Sequence, residues 1–262
     1  MTHPYLVETD HPRIFAHRGF VSAAESARGI AENTLASVSA AVEAGAHFVE
    51  SDGHLTRDGH VVLFHDKNLQ RVAGDARPVS EVRLNELQEI MADRGGVLTL
   101  PEALQHFEGV RFNLDVKAAA AAEPMGQLVA PHGHRVLLTS FSESHRRRAL
   151  AAAASARRSS SVQMPATSVS RAALVRVLFA LQTRSDLALR RAFDGFDALQ
   201  IPERQGLLKV VTPRLLNAAH QAGVEVHVWT VNDPATMQRL VALGVDGIIT
   251  DRTDLALETL AP

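Results

Sequence analysis

Residues 49–66 read VESDGHLTRDGHVVLFHD, a strand followed by a second, hairpin-like strand. Alternate side chains of a strand share a face, so Glu50, Asp52 and His54 can point the same way. Two carboxylates on one face repel each other unless a positive charge lies between them. Because their ligand atoms are oxygens, Mg²⁺ or Ca²⁺ suits the pair better than zinc. With His65 ending the next run, the stretch predicts a metal site beside a proton-transfer group.

Short apolar runs alternate with helical stretches along the rest of the chain. The predicted strands are 13–17, 46–52, 61–65, 112–117, 135–140, 158–164, 198–201, 224–231 and 247–250. The predicted helices are 34–44, 101–106, 142–154, 170–181, 213–222 and 234–243. Repeated strand–helix alternation predicts parallel strands joined by helical crossovers, and about eight such units would close into an α/β TIM-type (β/α)₈ barrel. An open doubly wound sheet is the alternative, weakened by the lack of a glycine-rich dinucleotide fingerprint after the first strand.

One segment, 67–98, interrupts this alternation because it is too long for a strand–helix loop. It predicts a small insertion after the second barrel strand, carrying a short helix near 84–91, within a single domain spanning 1–262. Long loops on barrels often form lids or substrate walls. The alanine-rich run 118–122 predicts a helix start or a small-residue surface.

Composition excludes several classes of protein. A net charge of −2 argues against bulk nucleic-acid binding and against a polybasic membrane surface. The absence of cysteine excludes disulfides and thiolate metal sites. We see neither a signal peptide nor the run of roughly 18 apolar residues that a membrane span needs, so we expect a cytoplasmic protein without stable membrane insertion. The sequence leaves a homo-oligomer open.

Polar residues recur at the carboxyl ends of the predicted strands, which is where barrel enzymes carry their functional groups. Histidines scattered through a core would not share one end, so the pattern predicts a single site. Its candidate residues are His17, Arg18, Glu50, Asp52, His65, Asp115, Lys117, Ser140, Gln200, Trp229 and Asp251.

The charges in this set suit a phosphoryl group. Asp115 could complete a three-carboxylate cation site with Glu50 and Asp52. Arg18 and Lys117 would then face an anion, since arginine binds phosphate oxygens in pairs and lysine acts as a point charge. A divalent cation and two basic side chains around one point would stabilise the charge that develops during phosphoryl transfer.

Two histidines supply the remaining chemistry. Either His17 or His65 could take a proton from the attacking hydroxyl, while the other gives one to the leaving oxygen. The sequence does not decide which acts first, nor whether a cyclic phosphate or direct attack by water is used. Trp229 could contact the substrate alcohol or pack in the core.

An ordered set of motifs resembles the glycerophosphodiester phosphodiesterase family over nearly the whole chain. The motifs are AHRG (16–19), ENT (32–34), GAHFVESDGHLTRDGHVVLFHD (45–66), TLPEAL (99–104), NLDVK (113–117), LLTSFS (137–142), VWTVND (228–233) and GVDGIITDRTDL (244–255). The resemblance implies a TIM-type barrel, a divalent cation (Mg²⁺ or Ca²⁺, with Mn²⁺ as an alternative) and a small-molecule substrate. It implies hydrolysis of glycerophosphodiesters to glycerol 3-phosphate and an alcohol.

The same resemblance implies roles for single residues. They are acid/base catalysis by His17 and His65, metal binding by Glu50, Asp52 and Asp115, phosphate binding by Arg18 and Lys117, and support of the HRG loop by Glu32. Many family members carry glutamate where this chain has Asp115, so a cation would lie closer to that strand or be reached through water. Two rival functions are a lysophospholipase D-like enzyme and a catalytically silent barrel that binds phosphate compounds.

Overall fold

Eight parallel strands form the wall of a barrel, and helices lie outside it. The computed structural model describes residues 2–7, 12–159, 161–183 and 185–260. The strands are β1 Arg13–His17, β2 Phe48–Leu55, β3 Val61–Leu63, β4 Arg111–Val116, β5 Val136–Thr139, β6 Ala166–Thr167, β7 Ala198–Pro202, β8 Arg204–Gln205, β9 Leu208–Lys209, β10 Glu225–Trp229 and β11 Gly247–Thr250. Around the barrel they run β6-β5-β4-β2-β1-β11-β10-β7. A parallel bridge from Ser168 to Ala198 joins the last strand to the first, which confirms the predicted (β/α)₈ barrel.

The helices fill the connections between the barrel strands. They are α1 Ala23–Ala27, α2 Leu35–Glu43, α3 Gln70–Ala73, α4 Leu84–Met91, α5 Leu100–His106, α6 Ala119–Val129, α7 Glu143–Ala156, α8 Arg171–Thr183, α9 Asp186–Phe193, α10 Pro213–Gln221, α11 Pro234–Leu243 and α12 Thr253–Thr259. Short 3₁₀ turns lie at Pro4–Leu6, Val79–Glu81, Ala92–Arg94 and Ala130–Arg135. Within the described ranges, every helix is too short or too polar to cross a bilayer.

Local sequence signals explain where several helices begin. The Thr99 side chain accepts from the backbone of Glu102 in a capping box, and proline follows in the first turn of α5. Thr212 and Asp233 cap α10 and α11 in the same position, again just before a proline. Because these side chains satisfy amides that the helix leaves free, each connection turns from strand to helix within a few residues.

Aromatic side chains fill the amino-terminal end of the barrel. Phe15 of β1 and Phe48 of β2 pack with ring centroids 4.9 Å apart, and Tyr5 from the 3₁₀ turn meets Phe48 edge-on at 5.4 Å. All three are buried. These aromatic side chains make this end of the barrel a packed part of the core.

Residues 67–98 carry α3, α4 and two 3₁₀ turns outside the barrel wall. Helix α4 has the bounds of the predicted helix 84–91. The segment packs against β3, which is antiparallel to β2, around an apolar cluster of its own: Val62, Phe64, Leu69, Val79, Val82, Leu87 and Met91. The assignment of 1–262 to a single domain stays a prediction.

The prediction of a strand at 158–164 is wrong. Ser160 lies outside the described residues, and none of the others forms a strand. The amide of Val162 is bonded to the carbonyl of Ser159 at 3.1 Å, as in a turn. The barrel strand is β6, which begins just after Pro165. Serine hydroxyls and a proline favour turns over a strand, and the apolar residues among them gave a misleading signal.

Candidate functional site

A cavity of about 180 Å³ opens at the carboxyl ends of the barrel strands. Its lining includes ten of the eleven candidate residues that the strand ends predicted: His17, Arg18, Glu50, Asp52, His65, Asp115, Lys117, Ser140, Gln200 and Trp229. The structure therefore brings residues from five barrel strands and the β3 loop to one place.

The loop after β1 turns sharply to aim two of these side chains at the cavity. Arg18 and Gly19 both have left-handed backbone conformations, with φ of 58° and 82°. A β-carbon at Gly19 would lie 2.7 Å from the backbone of Ser37, which makes glycine the residue that fits. The Arg18 amide donates to the Glu50 carbonyl at 2.8 Å. The turn is thus tied to β2, whose carboxylates lie beside it.

Parallel pairing sets the neighbours of the β2 carboxylates. Glu50 lies between His17 of β1 and Asn113 of β4, and Asp52 lies beside Asp115 of β4. Burial and the negative charge of Asp52 raise the pKa of the Glu50 carboxyl to about 8. A buried acid in this state is stabilised in its ionised form by any added positive charge.

The ammonium of Lys117 lies between two carboxylates. Its Nζ is 2.9 Å from Asp52 Oδ1 and 2.8 Å from Asp115 Oδ2. Burial alone would lower the pKa of Lys117, but the two carboxylates outweigh it and raise that pKa above its usual value. Asn33 Nδ2 donates to Asp52 Oδ2 at 3.2 Å, and Asn33 Oδ1 accepts from Ser51 Oγ at 2.6 Å. Asp52 is therefore fixed from both sides.

The oxygen atoms here suit a hard divalent cation. Asp115 Oδ1 and Asn113 Oδ1 are buried without a hydrogen-bond partner, and both residues line the cavity. Burial also raises the pKa of Asp115, against the influence of Lys117. Oxygen ligands of this kind are those that Mg²⁺ and Ca²⁺ prefer. Among the residues with described positions, no three acidic or histidine side chains are already arranged as a metal site.

His17 is held through its ring by Asp251. The Nδ1 atom lies 2.6 Å from Asp251 Oδ1, and Nε2 lies 3.8 Å from Glu50 Oε2. Asn232 Nδ2 donates to the second oxygen of Asp251 at 2.8 Å. Burial alone would lower the pKa of His17, but the hydrogen bond with Asp251 and the charge of Glu50 outweigh it and raise that pKa. The ring presents Nε2 to the cavity.

A chain of charged hydrogen bonds links His65 to Arg18 through the insertion. His65 Nδ1 lies 2.7 Å from Asp66 Oδ1, and Arg71 Nε donates to Asp66 Oδ2 at 2.7 Å. Glu32 Oε1 accepts from Arg71 at 2.6 Å and from Arg18 at 2.7 Å. Burial would raise the pKa of Asp66 and of Glu32, but the hydrogen bonds from Arg71 outweigh it and lower both. Both carboxylates thus stay ionised.

His54 shares the strand face of the β2 carboxylates but lies outside the cavity lining. Its Nε2 is 3.2 Å from the backbone carbonyl of His65, and burial lowers the pKa of the ring. The neutral imidazole therefore steadies the loop that carries His65.

An aromatic pair forms one side of the cavity mouth. Trp229 at the end of β10 meets Phe141 edge-on, with centroids 5.8 Å apart. Lys117 Nζ lies 5.6 Å and the Arg171 guanidinium 5.9 Å from the Phe141 ring. Because Phe141 is half exposed, this side of the mouth is both apolar and positively charged.

Sequence reasoning assigned no role to several residues that the structure places at this site. Asp251 ends a predicted strand but received no role, and Asn33 lies in the ENT motif without one. Asp66 adjoins His65, so its position could have indicated a partner for that ring. Arg71 gave no signal, because only the folded insertion brings it to Glu32.

Known proteins resemble this chain in sequence and in fold. The model of the glycerophosphoryl diester phosphodiesterase family matches residues 17–255. A probable glycerophosphodiester phosphodiesterase 2 of Mycobacterium tuberculosis is 34% identical over 248 residues, covering 94% of this chain and 89% of that protein. The crystal structure of a glycerophosphodiester phosphodiesterase from Thermotoga maritima has a TM-score of 0.71 at 23% identity, covering 96% of this chain and 99% of the other. A phosphodiesterase of Oleispira antarctica, solved in complex with the product sn-glycerol-3-phosphate, has a TM-score of 0.70 at 23% identity, covering 96% and 98%.

Proposed function

The chain belongs to the glycerophosphoryl diester phosphodiesterase family, and from this premise we propose that it hydrolyses small glycerophosphodiesters by two-histidine, metal-dependent catalysis. It is a phosphodiester hydrolase. The proposed two-histidine mechanism rests on one observation: His17 and His65 line one cavity, and each is bonded through Nδ1 to a carboxylate. That arrangement favours the tautomer whose Nε2 can exchange a proton with the substrate.

Basic side chains would bind the phosphoryl group, and an acidic side chain orients one of them. Arg18 and Lys117 would hold the phosphoryl oxygens, which gain charge during transfer. The Glu32 carboxylate, bonded to Arg18 at 2.7 Å, fixes the direction of that guanidinium. Trp229 would bound the space for the alcohol at the mouth.

Glu50, Asp52 and Asp115 are the residues that would hold the divalent cation. The unpartnered Oδ1 of Asp115 and the raised pKa of Glu50 support this assignment. When bound, Mg²⁺, Ca²⁺ or Mn²⁺ would supply charge stabilisation for the phosphoryl oxygens.

The proton transfers follow from the two histidines. One imidazole removes the proton from the attacking hydroxyl, either the glycerol 2-hydroxyl or water, and the other protonates the departing alcohol. If the glycerol hydroxyl attacks, water opens the resulting cyclic phosphate with the two roles reversed. Glycerol 3-phosphate and the free alcohol are the products of either route.

The first test is release of glycerol 3-phosphate from glycerophosphocholine and glycerophosphoethanolamine with Mg²⁺, Ca²⁺ or Mn²⁺ and with EDTA. We expect metal-dependent release that EDTA abolishes. His65→Ala should lower turnover by about 10²-fold or more, the usual loss for a general acid or base. His60→Ala, an exposed histidine of the β2–β3 turn, should keep the parent rate.

Other outcomes would support the rival functions. Release of choline from a long-chain lysophospholipid, without hydrolysis of glycerophosphocholine, would indicate a lysophospholipase D. Binding of phosphate compounds without turnover under any metal condition would indicate a silent barrel. A parent-like rate in His65→Ala would contradict the two-histidine mechanism.

A further inference from the structure

A short hairpin rises from the same end of the barrel as the cavity. Strand β7 ends at Pro202, which pairs with Trp229 at the cavity mouth, and β8 and β9 follow at once. Gly206, with φ of 60°, and Leu207 form the two-residue turn between them. A glycine of positive φ at the first turn position is the pattern of a type II′ hairpin. We call residues 203–210 the rim hairpin.

The base of the rim hairpin is firmly attached. The Glu203 carbonyl accepts from the amides of Val210 and Val211 at 3.0 and 3.2 Å. Its carboxylate lies 3.0 Å from Arg239 on α11. Val210 and Val211 are buried in the core between the barrel and its helices. The hairpin therefore projects from a fixed base as an ordered structure.

The tip of this projection is apolar. Leu207 is 97% exposed and Leu208 60% exposed, and Leu207 is the most exposed large apolar side chain in the described part of the chain. A fully hydrated leucine gains free energy when it enters an apolar environment. No side chain in the described part of the chain covers Leu207, so this apolar surface is available to a partner.

Two cations flank the tip. Arg204 lies directly opposite Lys209 across the hairpin, and both are exposed. Like charges directly opposite in an antiparallel pair destabilise it. Within the described ranges neither forms an ion pair, since the nearby Glu203 carboxylate is bound to Arg239. An anion bound between them would remove this repulsion.

We propose that the rim hairpin docks the protein on an anionic phospholipid surface. Leu207 and Leu208 enter the interface, and Arg204 and Lys209 bind headgroup phosphates. Apolar side chains flanked by basic ones are the usual composition of interfacial anchors. Since the net charge of the chain is −2, the attraction would come from these two cations and not from the overall charge. Docking in this way would turn the cavity mouth towards the membrane. The docking itself does not require hydrolysis of a substrate.

The test is co-sedimentation with phosphatidylcholine vesicles that either contain or lack phosphatidylglycerol. We expect binding only to the anionic vesicles, weakened by added salt. Arg204→Gln and Lys209→Gln should each weaken it about fivefold. The double variant Leu207→Ser, Leu208→Ser should weaken it about tenfold or more. All should keep the parent rate on a water-soluble diester, which separates docking from the hydrolytic function.

Leu187→Ser is the matched control. Leu187 is 59% exposed, like Leu208, but lies on α9, which leads into the amino end of β7 at the opposite face of the barrel. Leu187→Ser should bind anionic vesicles as strongly as the parent protein does.

Equal binding to neutral and anionic vesicles, or parent-like binding by the hairpin variants, would overturn the proposal. So would a concentration-dependent dimer that the leucine substitutions abolish, since the tip would then be covered by a second copy. Thermal melting of each variant verifies that it is folded. If the double serine variant unfolds, Arg204→Gln and Lys209→Gln, which change only exposed side chains, still test the proposal.

Discussion

At the scale of single residues, Asp251 controls the state of His17. It holds the ring nitrogen at 2.6 Å and contributes the hydrogen bond that raises the pKa of His17. The residue is 234 positions from the histidine that it orients. A strand-end aspartate thus supports the proton-transfer role that we propose for His17.

Asp251→Asn tests this coupling. Loss of the negative charge should lower the pKa of His17, so the limb of the kcat/KM–pH profile that His17 governs should move to lower pH. If the alkaline limb moves, His17 acts protonated as an acid; if the acidic limb moves, it acts as a base. We also expect kcat/KM to fall about 10- to 10²-fold, less than on loss of a histidine.

Asp254→Asn is the control for that experiment. Asp254 pairs with Arg252 in the same segment of the chain, away from His17. Its profile should superpose on that of the parent. A profile of Asp251→Asn that also superposes would remove Asp251 from the mechanism.

At the scale of elements, the insertion contributes directly to the site. Arg71 on α3 joins Asp66, the partner of His65, to Glu32, the partner of Arg18. His65 and Arg18, for which we propose proton transfer and phosphate binding, are therefore linked through one guanidinium. The insertion acts here as a positioning element, a narrower role than the lid or wall that its length suggested.

Arg71→Ala should lower kcat/KM about tenfold while the protein stays folded, because His65 and Arg18 would lose their common support. Arg77→Ala provides the matched control. Arg77 lies in the same insertion, has similar exposure (47% against 51%) and also pairs with two carboxylates, but these are Asp75 and Glu86, outside the cavity lining. Steady-state kinetics should separate the two variants, and equal losses would indicate a general effect on the insertion.

At the scale of the whole molecule, the two ends of the barrel differ in the charged groups that they contain. The carboxyl ends of the strands hold the charged site, and the amino ends hold a buried ion pair. Arg13 at the start of β1 lies 2.7 Å from Glu225 at the start of β10, and a further hydrogen bond joins Arg13 to the carbonyl of Leu6. This pair ties strands that are separated by β11 in the sheet.

Glu225→Gln should destabilise the fold and leave catalysis unchanged. Burial would raise the pKa of Glu225, but Arg13 and His227 lower it from 4.5 to about 2. A depressed pKa of this size corresponds to about 3 kcal/mol of stability at pH 7. That contribution is complete well above pH 4.5 and disappears as the pH falls through about 2, where the parent carboxyl is itself protonated.

Urea unfolding of both proteins from pH 7 to pH 3 measures this difference. The gap between parent and Glu225→Gln should narrow below pH 4.5, while kcat/KM at pH 7 stays the same. A gap that is constant with pH would mean that lost packing, and not the ion pair, explains the destabilisation.

Most strands and helices of the barrel, and the end of the barrel at which polar side chains gather, could be predicted from the sequence. Strand and helix periodicities are local, so the alternation was visible without a structure, and strand-end residues such as His17, Glu50 and Lys117 could be assigned to one site. The wrong prediction of a strand at 158–164 has the same origin. The actual strand, β6, has two residues, which is too few to show the alternation of side chains typical of a strand.

Which side chains contact one another could be learned only from the folded protein. Register places Asp52 beside Asp115, with Lys117 between them, and closure of the barrel brings Asp251 to His17. The exposure of the rim hairpin and the contacts of Arg71 with Asp66 and Glu32 could likewise not be predicted from the sequence. These contacts join residues far apart in the chain, and they depend on how the whole sheet closes, which no local pattern records.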